Sequence, residues 1–138
     1  MSTKGKGTRA ERELFHMFWE TGSFIPVRAA GSGSTPIPNP DLIVGNGSKT
    51  FAIECKALKS GNKYFPKKEI DELRIFSERF GAEPWIGIRF DNEGWWFLDL
   101  DNLGKSKKDN FMISLDIARK RGLKFEELIG KFKQKKII

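Results

Sequence analysis

The chain is poor in the residues that most often carry chemistry alone. Of its 138 residues, one is a cysteine, Cys55, and one a histidine, His16. A lone cysteine forms no intrachain disulfide, which suits a reducing compartment. A lone histidine on the polar side of the first expected helix supports neither a histidine-dependent triad nor a His-rich zinc site. No run approaches the roughly 20 apolar residues of a membrane span. The N-terminus also lacks an apolar signal core, so a soluble, cytoplasmic protein is expected. Internal repeats and long low-complexity tracts are absent as well.

What is present is bulky and basic. Twelve Phe and 4 Trp, with 38% hydrophobic and 31% charged residues, provide the core material of a globular domain and argue against disorder throughout. Lys and Arg exceed Asp and Glu by 25 to 18, a net charge of +7 with a pI near 9.6. Such an excess points to a polyanionic partner, since neutralising phosphates releases condensed counterions, although a generic basic protein has the same balance.

The pattern along the chain predicts an α/β domain over residues 8–138 behind a flexible basic leader, residues 1–7. Ala10, Leu14, Met17 and Phe18 recur at helical spacing within Thr8 to Thr21, and Gly22 is a natural stop. Phe24 to Ala29 reads as a strand. Ala30 to Pro40 packs two Gly and three Pro into eleven residues and reads as a loop. Asp41 to Val44 and Lys49 to Leu58 form a hairpin through Gly45-Asn46-Gly47-Ser48. A basic link, Ser60 to Tyr64, leads to a helix from Pro66, a tolerated N1 proline, to Phe80. Trp85 to Phe90 and Trp95 to Leu100 make a second hairpin. Phe111, Ile113, Leu115 and Ile117 alternate as in a strand, and Leu123 to Phe132 reads as a last helix. The order fits a mixed central sheet flanked by helices.

Pro40-Asp41 followed by Glu54-Cys55-Lys56 is the strongest chemical signal. Residues two apart on a strand share a face, so Glu54 and Lys56 point together and Cys55 turns toward the core. The hairpin brings Asp41 beside Glu54. Two carboxylates at one sheet end suit a hard divalent ion such as Mg2+, with the Cys55 backbone carbonyl within reach. The ion would polarise a phosphate and activate water, while Lys56 orients that water or stabilises growing charge. An arbitrary E-x-K is more often an acid–base pair on a solvated face. Glu11 adds weight, because it lies within the apolar stripe of its helix. There it needs a partner or a metal, unless it simply answers the helix macrodipole.

Beyond spacing, the residues resemble the archaeal Holliday-junction resolvases of the PD-(D/E)XK nuclease superfamily. The likeness runs through Lys6-Gly7, Ala10-Glu11-Arg12-Glu13-Leu14, Val27-Arg28-Ala29-Ala30-Gly31-Ser32-Gly33-Ser34 and Pro40-Asp41-Leu42-Ile43-Val44-Gly45-Asn46-Gly47. It continues in Ala52-Ile53-Glu54-Cys55-Lys56, in Phe76-Ser77-Glu78-Arg79-Phe80-Gly81-Ala82 and in Gly94-Trp95-Trp96-Phe97. The resemblance implies a restriction-endonuclease-like fold and a magnesium-dependent homodimer that nicks two strands of a four-way DNA junction, with Mn2+ as a substitute ion. It places Glu11, Asp41, Glu54 and Lys56 on the family's active-site positions and matches Ser32 to a position that assists cleavage. Arg12 and Arg28 match basic residues serving DNA binding or catalysis. The three-proline loop, longer than in some relatives, leaves its junction contacts open.

The remaining features fit around that site. Gly31-Ser32-Gly33-Ser34 lacks both the Walker Lys-Ser/Thr and the dinucleotide fingerprint, so no nucleotide cofactor is expected; a DNA-contacting loop that includes Ser34 fits better. Lys6, Arg9 and Arg12 before the site, with Lys59 and Lys63 after it, form an expected phosphate-binding rim. A second basic group, Arg119 to Arg121 and the C-terminal lysines, is either a DNA contact or a solubilising tail. Trp85, Trp95 and Trp96 either divide between core and a dimer surface or are hidden by the twist of the hairpin. Two rivals stay open on sequence alone: a repair or restriction-like nuclease on other DNA, and a non-catalytic DNA-binding module of the same fold.

Overall fold

The structure, a computed structural model, describes residues 2–29 and 37–130, with side chains from Thr8 onward. Helix α1 (Ser2–Trp19) is followed by β1 (Ile25–Arg28), β2 (Leu42–Gly45) and β3 (Thr50–Leu58). A short strand β4 (Lys63–Phe65) and helix α2 (Lys67–Phe80) lead to β5 (Glu83–Phe90) and β6 (Gly94–Leu98). The chain closes with β7 (Gly104–Lys105), β8 (Phe111–Ile113), α3 (Leu115–Arg121) and α4 (Phe125–Leu128). Five strands form one sheet in the order β1-β2-β3-β5-β6. Its β1-β2-β3 and β5-β6 pairs are antiparallel, and β3 runs parallel to β5. The sheet is mixed because α2 carries the chain back to start β5 beside β3. A smaller sheet orders β4-β8-β7. Among the described residues no helix is long and apolar enough to cross a membrane.

Alternation along β3 divides the core into two layers. Phe51, Ile53 and Cys55 face α1 and pack with Ala10, Leu14, Phe18, Leu42, Val44 and Phe97. Ala52 faces the other way and packs with Ile70 and Leu73 of α2, Ile86 and Ile88 of β5, and Phe65, Ile113 and Ala118. Each fully buried ring or branched aliphatic chain removes enough apolar area from water to be worth about 1.5–3 kcal/mol. Close packing also explains Gly87: a Cβ there would stand 3.0 Å from the Phe97 ring and 3.2 Å from Ile53. Trp95 is buried on the α1 side, and Trp96 packs on the opposite face with the Lys124 ammonium 4.3 Å from its ring centroid. Trp95 is thus core, while Trp85 and Trp96 are half-buried.

Several boundaries differ from the sequence expectation. Helix α1 begins at Ser2, so residues 2–7, expected as a flexible leader, continue the helix ahead of its apolar stripe. Pro66 caps α2 in an extended conformation (φ −61°, ψ 146°) and sits one position before N1. The alternation from Phe111 to Ala118 is a strand only as far as Ile113. Ser114 then accepts the Ile117 N–H through its Oγ at 3.1 Å, and this N-cap starts α3. The last helix spans only Phe125–Leu128, and Gly130 follows with φ 92°; Phe132 lies outside the described residues. Part of the expected basic link is strand β4, paired with β8.

Candidate active site

Asp41 stands where β2 begins. The β2–β3 register pairs Leu42 with Ile53, so the next opposed positions are Asp41 and Glu54, on the sheet face that carries Ala52 and looks toward α2. Pro40 has no N–H to extend the ladder. Beyond Leu42, the Asp41 side chain instead takes the edge of β3, its Oδ2 accepting the Cys55 N–H at 2.8 Å. In an antiparallel ladder a residue directs its N–H and C=O to the same edge, which turns the Cys55 carbonyl toward Asp41. Lys56 shares the face of Glu54, with Nζ 3.9 Å from Glu54 Oε2 and 3.0 Å from Glu69 Oε1 on α2. The Phe65 ring closes the other side, 5.9 Å from the ammonium.

The electrostatics are those of a carboxylate pair short of positive charge. Burial, opposed by the Cys55 hydrogen bond and reinforced by the Glu11 charge, raises Asp41 from 3.8 to about 6. Burial and then the Asp41 charge raise Glu54 from 4.5 to about 8. Burial alone would lower the Lys56 amine, but the Glu69, Glu54 and Asp41 charges outweigh it and the net shift is upward. Those charges favour the ammonium form of Lys56. Burial and the surrounding carboxylates push the Cys55 thiol well up, so it is neither nucleophile nor soft ligand.

This donor set fits a hard divalent cation. It consists of oxygens, both carboxylates are shifted upward chiefly by burial, and the Cys55 carbonyl lies on the same edge. Among the described residues, no three His, Cys, Asp or Glu side chains stand together as a ready cage.

Glu11 approaches from the α1 side of the sheet. Its Oε1 lies 3.4 Å from Arg28 Nη2, while its charge acts on both Asp41 and Glu54. Arg28 and Glu11 thus form a pair beside the site. Arg12 is exposed on α1. Arg9 and Lys59 line an open cavity of about 490 Å³ together with Glu13, Arg89 and Asp91. Lys63 lies on β4 opposite Ile113, in the small sheet. Lys6 belongs to α1, but its side chain is outside the described set, and Ser32 and Ser34 lie outside the described residues altogether. In the second basic group, Arg119 pairs with Glu93 at 3.1 Å and Lys120 with Asp116 at 3.1 Å. Arg121 Nη1 donates to the Asn102 carbonyl at 3.4 Å. The C-terminal lysines of that group, from Lys131 on, lie outside the described residues.

Two features escaped the sequence reading. Glu69 looks like one charge in a solvated Lys-Lys-Glu-Ile-Asp-Glu run, yet it is four residues before buried Leu73 and so heads the inner row of α2. Glu13, outside the apolar stripe of α1, accepts the Trp95 Nε1–H at 2.6 Å and the Arg89 Nε–H at 2.8 Å. Only the tertiary fold brings those partners to it.

A mixed sheet with Asp41 at the start of β2 opposite the E-x-K pair of β3, flanked by a helix on each face, defines a restriction-endonuclease-like nuclease fold. Residues 2–137 match the sequence profile described as archaeal Holliday junction resolvase (Hjc). The chain belongs to that family. It is 38% identical over 133 residues to the crossover junction endodeoxyribonuclease Hjc of Archaeoglobus fulgidus, covering 96% of each chain. It is 35% identical over 132 residues to the enzyme of the same name from Methanocaldococcus jannaschii, covering 96% of this chain and 92% of that one. The 1.6 Å structure of Archaeoglobus fulgidus Hjc superposes with a TM-score of 0.81 at 33% identity, covering 91% of this chain and 96% of that one.

Proposed function

We propose that this chain is an intracellular crossover junction endodeoxyribonuclease that resolves four-way DNA junctions by paired, magnesium-dependent nicking. The observation that carries the reading is the meeting of Asp41, Glu54 and Lys56 on one sheet face, in a chain that matches the resolvase family along almost its whole length. Asp41, Glu54 and the Cys55 carbonyl would hold Mg2+, or Mn2+ in its place, and Glu11 would act as a third carboxylate through water. The bound ion supplies Lewis-acid polarisation of the scissile phosphate and activation of the attacking water. Lys56 donates hydrogen bonds to that water or to the phosphate oxygens as charge grows on them. The water oxygen forms the new P–O bond, the P–O3′ bond breaks, and a 5′-phosphate and a 3′-hydroxyl remain. Arg9, Arg12, Arg28 and Lys59, with Lys6, Lys63, Ser32 and Ser34, would contact the DNA backbone and position it without reading bases.

A four-way junction has near two-fold symmetry, and a homodimer would offer one site to each of two strands. An apolar surface supports that assembly. Helix α2 covers β3 and β5 but leaves the same face of β1 and β2 open, where Ile25 and Val27 are more than half exposed. Phe80, 55% exposed and stacked on Phe76, forms with Ile75 a further apolar surface on α2. Exposed patches of that kind mark interfaces.

The test is cleavage of synthetic four-way junctions and matched linear duplexes, each with Mg2+ and with chelator. Junction-selective nicking that stops on chelation is expected. Equal cutting of both substrates would remove the resolvase assignment, and an absence of nicking with either Mg2+ or Mn2+ would leave a DNA-binding module.

A further inference from the structure

We propose that Glu69 is a positioning residue for Lys56, holding its ammonium at the reacting face while a DNA strand is cut. The inference rests on the nuclease reading of the Asp41–Glu54–Lys56 site. Lysine carries its charge on a flexible four-carbon stem, so one carboxylate neighbour does not fix where the charge sits. Here the ammonium lies between two, 3.9 Å from Glu54 and 3.0 Å from Glu69. The nearer contact comes from the residue with no other role at the site.

Glu69 is well placed for this. It lies in the first turn of α2, where a carboxylate is favoured by the helix macrodipole, and that turn is anchored by buried Ile70 and Leu73. Its Oε1 is buried and makes no well-aligned hydrogen bond among the described residues, so the Lys56 charge is what compensates it. Glu72, one turn further along, is more exposed and leans toward Lys68 at 3.8 Å. Glu54, Glu69 and Glu72 line a small cavity of about 60 Å³ with Pro38, Asn39 and Leu73, which leaves room for water beside the reacting face. The Phe65 ring lies 5.9 Å from the ammonium. Metal and substrate would thus meet an amine already in place.

The experiment compares the wild-type chain with Glu69→Gln, which keeps the shape and removes the charge, and with Glu69→Asp, which keeps the charge on a shorter arm. Single-turnover junction cleavage should fall roughly 10- to 100-fold in Glu69→Gln at saturating Mn2+, with junction Kd and the Mn2+ midpoint both within about threefold of wild type. Glu69→Asp should recover part of the rate. In the metal-free protein, the ammonium ¹H–¹⁵N signal of Lys56, slowed in exchange by its partners, should be resolved in wild type and lost in Glu69→Gln. An unchanged rate in Glu69→Gln, or an unchanged Lys56 signal, overturns the proposal. So does a loss recovered by excess Mn2+, which would make Glu69 a metal ligand instead. Failure of the wild type to cut any junction would remove the nuclease reading and this inference together; an active wild type with an indifferent Glu69→Gln removes this inference alone.

Discussion

Asp41 completes β3 with its side chain: Oδ2 accepts the Cys55 N–H at 2.8 Å, in the place the Pro40 carbonyl would occupy if the β2–β3 ladder continued. One oxygen of the carboxylate is therefore structural, and the charge is shared with the site. The two roles separate in an amide.

Asp41→Asn keeps an oxygen for the Cys55 N–H and loses the negative charge. Junction nicking should fall by at least about a thousand-fold, because an ion bound there would lose one of its two carboxylates. Glu54→Gln should do the same. Junction affinity, set by the basic rim, should change by no more than a few-fold, on the order of 1 kcal/mol or less. Gel-shift titration beside a cleavage time course measures both, and parallel loss of binding would show that the carboxylates hold the fold and not the reaction.

Stability of the metal-free protein should fall as pH rises. The folded-state values of Asp41 (about 6) and Glu54 (about 8) lie above their ordinary 3.8 and 4.5. Between those limits the folded chain binds more protons than the unfolded one, so unfolding free energy decreases with pH. The contribution is complete below about pH 4 and gone above about pH 8, a loss on the order of a few kcal/mol for the two groups together. Urea unfolding at pH 5, 7 and 9 reads this directly, and Glu54→Gln should flatten the profile. A wild type that gains stability over this range would contradict the burial of both carboxylates.

The same protons must leave when a cation binds. At pH 7 Glu54, raised to about 8, is mostly protonated, so Mn2+ binding should release close to one proton. Release should fall toward zero at pH 9, where the apparent affinity is greatest. Calorimetric titration in two buffers of different ionisation enthalpy gives the count, and pH-independent binding with no release would place the ion elsewhere.

The legible part of this protein was its local periodicity. The stripe Ala10, Leu14, Phe18 and the alternation Phe51, Ile53, Cys55 define the α1 layer, and the Asn46-Gly47 turn sets the register that opposes Asp41 to Glu54. Asn46 Oδ1 accepts the Ser48 and Lys49 N–H groups at 2.9 and 2.7 Å, so that turn is encoded by its own side chains. What could not be read came from contacts distant in sequence. The parallel pairing of β3 with β5 depends on where α2 deposits the chain, and Lys56–Glu69 and Glu13–Trp95 exist only after it does. The Phe111 to Ala118 alternation misled because Ser114 offers an N-cap that a two-residue period does not weigh.

Glu13 holds β5 and β6 to α1 through one oxygen, shared by Trp95 and Arg89. Glu13→Ala leaves the indole N–H of buried Trp95 without its acceptor, a cost of about 1–3 kcal/mol, reduced to the extent that water reaches this half-exposed position. Urea denaturation should show that loss, and indole emission in the native state should shift. Stability within error of wild type would mean that water replaces the carboxylate completely.

The apolar face of α2 and of the outer strands gives the last prediction. Phe80 is exposed on the surface of α2 that Phe76 and Ile75 share, so a charge there meets solvent in a monomer and an apolar surface in a dimer. Phe80→Glu should leave the thermal midpoint of the isolated subunit nearly unchanged, because an exposed substitution removes little buried area. It should shift sedimentation from dimer to monomer at micromolar concentration, since a carboxylate forced against an apolar partner surface loses its hydration without a compensating charge. Junction cleavage should then fall, with single nicks replacing paired ones as the two sites no longer travel together. A Phe80→Glu protein that sediments as the wild type does would place the subunit contact on another face, and paired cutting by a verified monomer would dispense with the dimer altogether.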